Sequence, residues 1–254
     1  MGTFQQIAEV YRQSKKRRDN FWTEYVSRPP AAVLVYLLRG TSITPNQVSF
    51  LAISVAALGA ALLIFWTTWL GLITAGLALQ LAYVIDCVDG QLARYKNMAS
   101  PVGALLDFML DEVKAFMVVA AAGVRLWRTS GDVKFLLVAL GGLFAAACGI
   151  TLTSFMRRPE YLEATGAPPL LPATDRGGFL PPPKEAGAPK SLSPIALAEA
   201  AGRYVLHYPS WFLFVCAANR LDLYLFAYVG AHVLYLGRAS LIILVKLGRP
   251  ARQS

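Results

Sequence analysis

Residues 69–111 read WLGLITAGLALQLAYVIDCVDGQLARYKNMASPVGALLDFMLD. An apolar run gives way to a polar turn around Asn97 to Ser100 and then resumes, yet Asp86, Asp89, Asp107 and Asp111 sit inside its two arms. At ~20 residues per crossing of the hydrocarbon core, each arm is long enough to be a membrane helix, and so short a turn makes the two antiparallel neighbours. On a helix, Asp86 and Asp89 at i, i+3 share a face, and so do Asp107 and Asp111 at i, i+4. Asp89 lies about 8 residues before the turn and Asp107 about 7 after it, so at 1.5 Å per residue both sit roughly 10 to 12 Å inside and the two pairs can meet.

The rest of the chain fits that frame. Of its 254 residues 56% are hydrophobic and only 15% charged, where a soluble domain carries roughly a quarter charged residues, so a bilayer is the expected solvent. No charge occurs from Gly40 to Ile85. The pattern predicts an all-α integral membrane protein with six transmembrane helices, at about Asn46–Phe65, Trp69–Lys96, Pro101–Leu126, Phe135–Met156, Tyr204–Asn219 and Leu223–Leu247. Pro209 interrupts the fifth.

Residues 1–40 form an N-terminal segment on the membrane surface. Residues 2–28 are polar and weakly amphipathic, Arg28-Pro29-Pro30 punctuates them, and Ala31–Leu38 is too short to cross. Lys15, Lys16, Arg17 and Arg18 precede the first apolar run by too long a polar stretch for a cleaved signal. Residues 41–254 hold the six helices, with a polar, Pro-rich loop over 159–194 and a short amphipathic helix over Ile195–Tyr204.

The net charge of +9 raises the possibility of a nucleic-acid partner, but the basic residues flank apolar segments instead of forming a stripe, and none is expected. With six spans, eighteen basic residues fall on the side of the two termini and the 159–194 loop, against Arg125, Arg128, Lys134 and Arg220 on the other. That excess predicts cytoplasmic termini at the cell inner membrane, with the acidic site facing the cytoplasm. Cys87, Cys148 and Cys216 show no metal or disulfide spacing and read as buried small hydrophobes. His207 and His232 are isolated and read as packing or hydrogen-bonding residues.

A charged residue inside a membrane helix costs about 2.5 to 3.5 kcal/mol on insertion scales, so four carboxylates need partners or water. Brought together, they repel or take up protons unless cations neutralise them. Oxygen ligands without clustered His or Cys select hard ions such as Mg²⁺ or Mn²⁺. Glycine inside a helix is costly unless backbone or ligand must come close, which suits Gly90 and Gly103 to the same site, and Arg94 one turn beyond Gly90 could meet a phosphate bidentately. Lys114, one turn after Asp111, reads as a salt-bridge partner of the cluster or a substrate contact.

The pattern D-x2-D-G-x2-A-R-x8-G-x3-D-x3-D over Asp86–Asp111 resembles the signature of the CDP-alcohol phosphotransferase family. The resemblance implies that Asp86, Asp89 and Asp107 hold metal ions, two of them, with Asp111 completing the site and serving as general base. It implies that Gly90, Ala93, Arg94 and Gly103 surround the CDP moiety. It further implies transfer of a substituted phosphate from a CDP-linked donor to a hydroxyl acceptor with release of CMP, and a homodimer, although no span shows a G-x-x-x-G seam. CDP-diacylglycerol as donor makes this phospholipid synthesis, and a soluble CDP-alcohol acting on a lipid or polyol phosphate is the variant. Glu112 stands where family members often carry a basic residue, which leaves the acceptor class open. Arg157 and Arg158 read as positive-inside anchors or as holders of an acceptor phosphate. A cation-coupled transporter built on the acidic cluster is the distant alternative, and it needs no A-R-x8-G spacing. A catalytically silent membrane scaffold is the third reading, and it would tolerate Asp107→Asn with unchanged function.

Overall fold

The computed structural model describes residues 2–15, 20–166, 201–202 and 204–247. Lys16, Arg17 and Arg18, the loop from residue 167 to 194 and most of the amphipathic helix expected over Ile195–Tyr204 lie outside them. Every regular element among the described residues is helical. In chain order these are α1 (Thr3–Ser14), a π-helical turn (Thr23–Ser27), α2 (Arg28–Leu38), α3 (Pro45–Phe65), α4 (Trp69–Tyr95), α5 (Pro101–Ser130), α6 (Lys134–Phe155), α7 (Pro159–Thr165), a 3₁₀ turn (Tyr208–Ser210), α8 (Phe212–Ala217) and α9 (Leu221–Leu247).

Local chemistry sets the helix starts. Thr44 accepts from the Gln47 N–H while the Gln47 side chain accepts from the Thr44 N–H at 2.9 Å, and Pro45 at the first helical position has no N–H to satisfy. Ser100 caps α5 the same way, accepting from the Gly103 N–H at 3.0 Å just before Pro101. Helix α5 ends on Gly131, whose φ of 75° is left-handed. Arg28-Pro29-Pro30 opens α2 and does not break the chain there. Two prolines cannot donate to the carbonyls one turn back, and the preceding turn widens so that the Arg28 N–H reaches Thr23 O. Pro159 opens α7 inside a stretch read as loop, and Gly166 at φ 59° closes it.

Helices α3, α4, α6 and α9 are long and apolar enough to cross a membrane. Helix α5 has 30 residues, ~45 Å at 1.5 Å each, but carries Asp107, Asp111, Glu112, Lys114, Arg125 and Arg128. The fifth expected span, Tyr204–Asn219, is not one helix. Pro209 falls in the 3₁₀ turn, and α8 that follows has six residues, too few to cross. Irregular backbone at membrane depth survives only where protein covers it, and Pro209, Ser210, Phe212 and Cys216 are buried. This path starts at Tyr208, within electrostatic range of Lys114, and ends at Ala217, whose carbonyl accepts from Trp69 Nε1 at 3.2 Å.

Two apolar clusters share α4. One gathers Leu63, Leu72, Leu79, Val118, Phe212 and Tyr224; the other joins Val10 of α1 to Ala31, Val35, Val48, Val88 and Leu92. Lipid tails are as apolar as leucine, so close packing must hold such helices together. A Cβ added to Gly123 would stand 2.4 Å from the Ala139 Cβ, and one on Gly142 would stand 2.4 Å from Val229 Cγ2. The α5–α6 and α6–α9 contacts therefore depend on bare backbone.

Arg125, counted on the side opposite the termini, is buried. Its guanidinium donates to the carbonyls of Leu63 (3.2 Å), Trp66 (2.7 Å), Thr67 (2.9 Å) and Thr68 (2.7 Å). These are groups that the end of α3 and its turn into α4 leave unsatisfied.

Candidate active site

Helix α3 packs along both α4 and α5, whereas α4 and α5 scarcely touch backbone to backbone. The two helices expected as neighbours meet through side chains, Lys114 of α5 pairing with Asp86 of α4, with α3 packed along both and the carboxylates between them. The turn is pinned by Lys96, whose Nζ donates to Thr41 O at 2.8 Å and Ile43 O at 2.9 Å. Asn97 takes the left-handed conformation that the tight reversal requires.

Asp86 and Asp89 from α4 and Asp107 from α5 each offer an oxygen within 4.8 Å of the others. Asp89 is 5% exposed, and Ser49 of α3 donates to its Oδ2 at 2.5 Å. The fourth aspartate is held differently. Lys114, 4% exposed, forms an ion pair with Asp86 and another with Asp111 Oδ1 at 2.7 Å. Asp111 thus joins the cluster through an ammonium group and lies outside the three-carboxylate set. Tyr208, from the turn that interrupts the fifth span, lies within electrostatic range of Lys114, Asp111 and Asp86.

Three carboxylates this close repel or take up protons unless a cation neutralises them. An oxygen-only donor set suits a hard divalent cation, so these residues fit the metal expected there.

The remaining motif residues lie around this centre. The Arg94 guanidinium lies across Gly90, where an added Cβ would stand 3.5 Å from Nη1 and 3.6 Å from Nη2. Ala93 is half-buried on α4, and its carbonyl accepts the Met98 N–H at 2.8 Å as the turn begins. Gly103 serves the start of α5: an added Cβ would lie 3.1 Å from the capping Ser100 Oγ and 3.8 Å from Asn46 Oδ1. Arg157 and Arg158 sit just past α6, where Arg157 Nε is buried with no hydrogen-bond partner among the described residues. Near them Thr153 and the Tyr235 hydroxyl, 3.2 Å apart, tie α6 to α9.

Ser49 escaped the sequence reading, and Tyr208 reads from sequence first as an interface or lipid-facing aromatic, with a lipid-headgroup contact as the alternative. Ser49 carries a faint signal, since it lies on the face of α3 shared by Pro45, Ala52 and Ala56, but nothing local says that this face looks onto a carboxylate. His207 and His232 both take hydrogen bonds, His207 Nε2 with the Tyr83 hydroxyl at 2.8 Å and His232 Nδ1 with Tyr228 O at 2.9 Å.

A helical protein with four membrane-length apolar helices and an acidic cluster between two of its helices is a polytopic membrane protein built around a cation-attracting site. The chain belongs to the CDP-alcohol phosphatidyltransferase family, whose model matches residues 42–170. It is also similar to the bifunctional IPC transferase and DIPP synthase of Rubrobacter xylanophilus, with 35% identity over 124 residues, 47% of this chain. The matched region spans 25% of that longer relative.

Proposed function

We propose that the protein transfers a substituted phosphate from a CDP-linked donor, CDP-diacylglycerol first among the candidates, to a hydroxyl acceptor with release of CMP. The observation that carries this reading is the meeting of Asp86, Asp89 and Asp107 within 4.8 Å, next to Arg94 on Gly90. Asp86, Asp89 and Asp107 would hold Mg²⁺ or Mn²⁺, which would supply charge neutralisation for the donor diphosphate. Arg94 and Gly90 receive the CDP moiety, with Ala93 and Gly103 beside it.

Asp111 keeps a side chain 41% exposed, with Lys114 as its counter-charge. It takes the proton of the acceptor hydroxyl as that oxygen bonds to the phosphorus remote from cytidine. The P–O bond to the other phosphate breaks in line, and its electron pair leaves with CMP.

The basic excess on one side supports cytoplasmic termini and a cytoplasm-facing site. Helix α1 lies on that surface, with Phe4 89% exposed. α5 makes the third crossing, and the path over residues 204–217, broken at the 3₁₀ turn, makes the fifth. The orphaned Arg157 Nε, with Arg158 next to it, favours an acceptor that itself carries phosphate. On that second reading, a polyol phosphate takes the place of a neutral alcohol.

The test is CMP release by purified protein given Mg²⁺, labelled CDP-diacylglycerol or a soluble CDP-alcohol, and a panel of neutral and phosphorylated acceptors. One donor–acceptor pair should release CMP, and EDTA should stop it. Asp111→Asn should lower turnover by about 10²-fold or more, the lower range for a lost general base, while CDP still binds. Near-normal turnover by this variant removes the base assignment, and no CMP from any pair removes the reaction.

A further inference from the structure

Helix α1 is docked on the motif itself. Its last residue, Ser14, is fully buried, and the Ser14 hydroxyl donates to Val10 O at 2.7 Å and to Gln91 Oε1 at 3.2 Å. Gln91, also buried, donates in turn to Arg28 O at 3.2 Å. The Ser14 carbonyl accepts from Arg94 Nε at 2.6 Å. That carbonyl is one of those a helix leaves without an internal partner at its C-terminus, where the helix dipole is negative, so a guanidinium suits it.

The same guanidinium has its terminal nitrogens over Gly90. Helix α1 is also fastened further back. Gln6 Oε1 accepts from the Tyr36 hydroxyl at 3.0 Å and from Arg39 Nη2 at 3.2 Å, while Val10 is buried between α2 and α4.

We infer that α1 is a positioning element for the CDP donor: through Ser14 and Gln91 it holds Arg94 across Gly90 in the orientation that receives the donor. This rests on the reading of Gly90 and Arg94 as donor-binding residues. A free arginine side chain loses rotamer freedom when it grips a ligand, and one already fixed does not. Donor affinity, and not the rate of bond cleavage, is therefore what α1 controls. Ser14 and Gln91 act through Arg94 and are positioning residues.

Val10→Asp places a charge in the buried face of α1 and undocks it; Ser14→Ala removes the hydroxyl's bonds to Gln91 and Val10 O but keeps the carbonyl that Arg94 uses. Binding of CDP with Mg²⁺ to the full-length protein is measured by calorimetry, and KM for the donor by CMP release. Val10→Asp should raise the Kd for CDP and the donor KM about tenfold, the weight of one charge-assisted hydrogen bond, with Ser14→Ala moving the same way by less. kcat and the acceptor KM should stay within about twofold.

In an Arg94→Lys background, which lacks the Nε link to Ser14, neither change should add a further rise. A merely structural role would instead add in full to Arg94→Lys and lower kcat. Should Val10→Asp fail to fold, Ser14→Ala with and without Arg94→Lys makes the same comparison. Unchanged CDP affinity in the α1 variants, or a full additive loss in the Arg94→Lys background, overturns the inference. Wild-type protein that binds no CDP overturns the reading of the motif and this inference with it.

Discussion

Lys114 and Ser49 show what the aspartates demand of the residues around them. Ser49 fixes one oxygen of Asp89, and groups that orient a metal ligand typically matter ten- to a hundredfold in affinity. Ser49→Ala should weaken Mn²⁺ binding by about tenfold or more, read by titration of the spin-active ion, with little change in unfolding temperature. An unaltered affinity would mean that Asp89 needs no such support. Lys114 is a buried cation between two carboxylates, and removing one member of a buried ionic group costs about 3–5 kcal/mol. Lys114→Met should destabilise the metal-free protein by about that amount in detergent, and Mn²⁺ should recover part of it. Equal stability of the variant and wild type without metal would contradict the buried pairing. The spacing of the aspartates made the cluster legible, because i, i+3 and i, i+4 offsets put two carboxylates on one face of each helix. The role of Lys114 was legible only as one of two, since both its partners depend on how α4 and α5 are set apart.

At the scale of the helices, the ends were legible where caps write them: Thr44-Pro45 and Ser100-Pro101 start α3 and α5 within one residue of expectation. Pro209 gave warning of trouble in the fifth span, but nothing local said that the chain would run there as a 3₁₀ turn and a six-residue helix. The role of Arg125 was hidden for a similar reason. Beside an apolar run it reads as an interfacial anchor, and only the path of the α3–α4 turn makes it a clamp with four carbonyl partners. Arg125→Met should destabilise the protein by about 3 kcal/mol or more, since each buried carbonyl left unpaired costs about 1–3 kcal/mol. It should leave Mn²⁺ affinity untouched, because Arg125 lies 18 residues, ~27 Å, along α5 from Asp107. A parallel loss of metal binding would show the two ends of α5 to be coupled.

Over the whole molecule, two apolar clusters hold the helices while the site occupies the space that α4 and α5 leave between them. The register of α5 then decides whether a site exists. One alanine inserted between Leu105 and Leu106 turns Asp107 and Asp111 by ~100° relative to the capped start of α5. Mn²⁺ binding should fall by about a hundredfold or more, the scale of losing a ligand and its support together. A glycine inserted between Met98 and Ala99, ahead of the cap, should be far milder. Equal losses from both insertions would mean that the turn, and not the helix face, sets the cluster.

Helices α4 and α5 work as the blades of a pair of tweezers, with the pinned turn as the joint and α3 as the spine. Blades whose backbones seldom meet are not worn into mutual fit, so each can change its lipid-facing side without spoiling the grip.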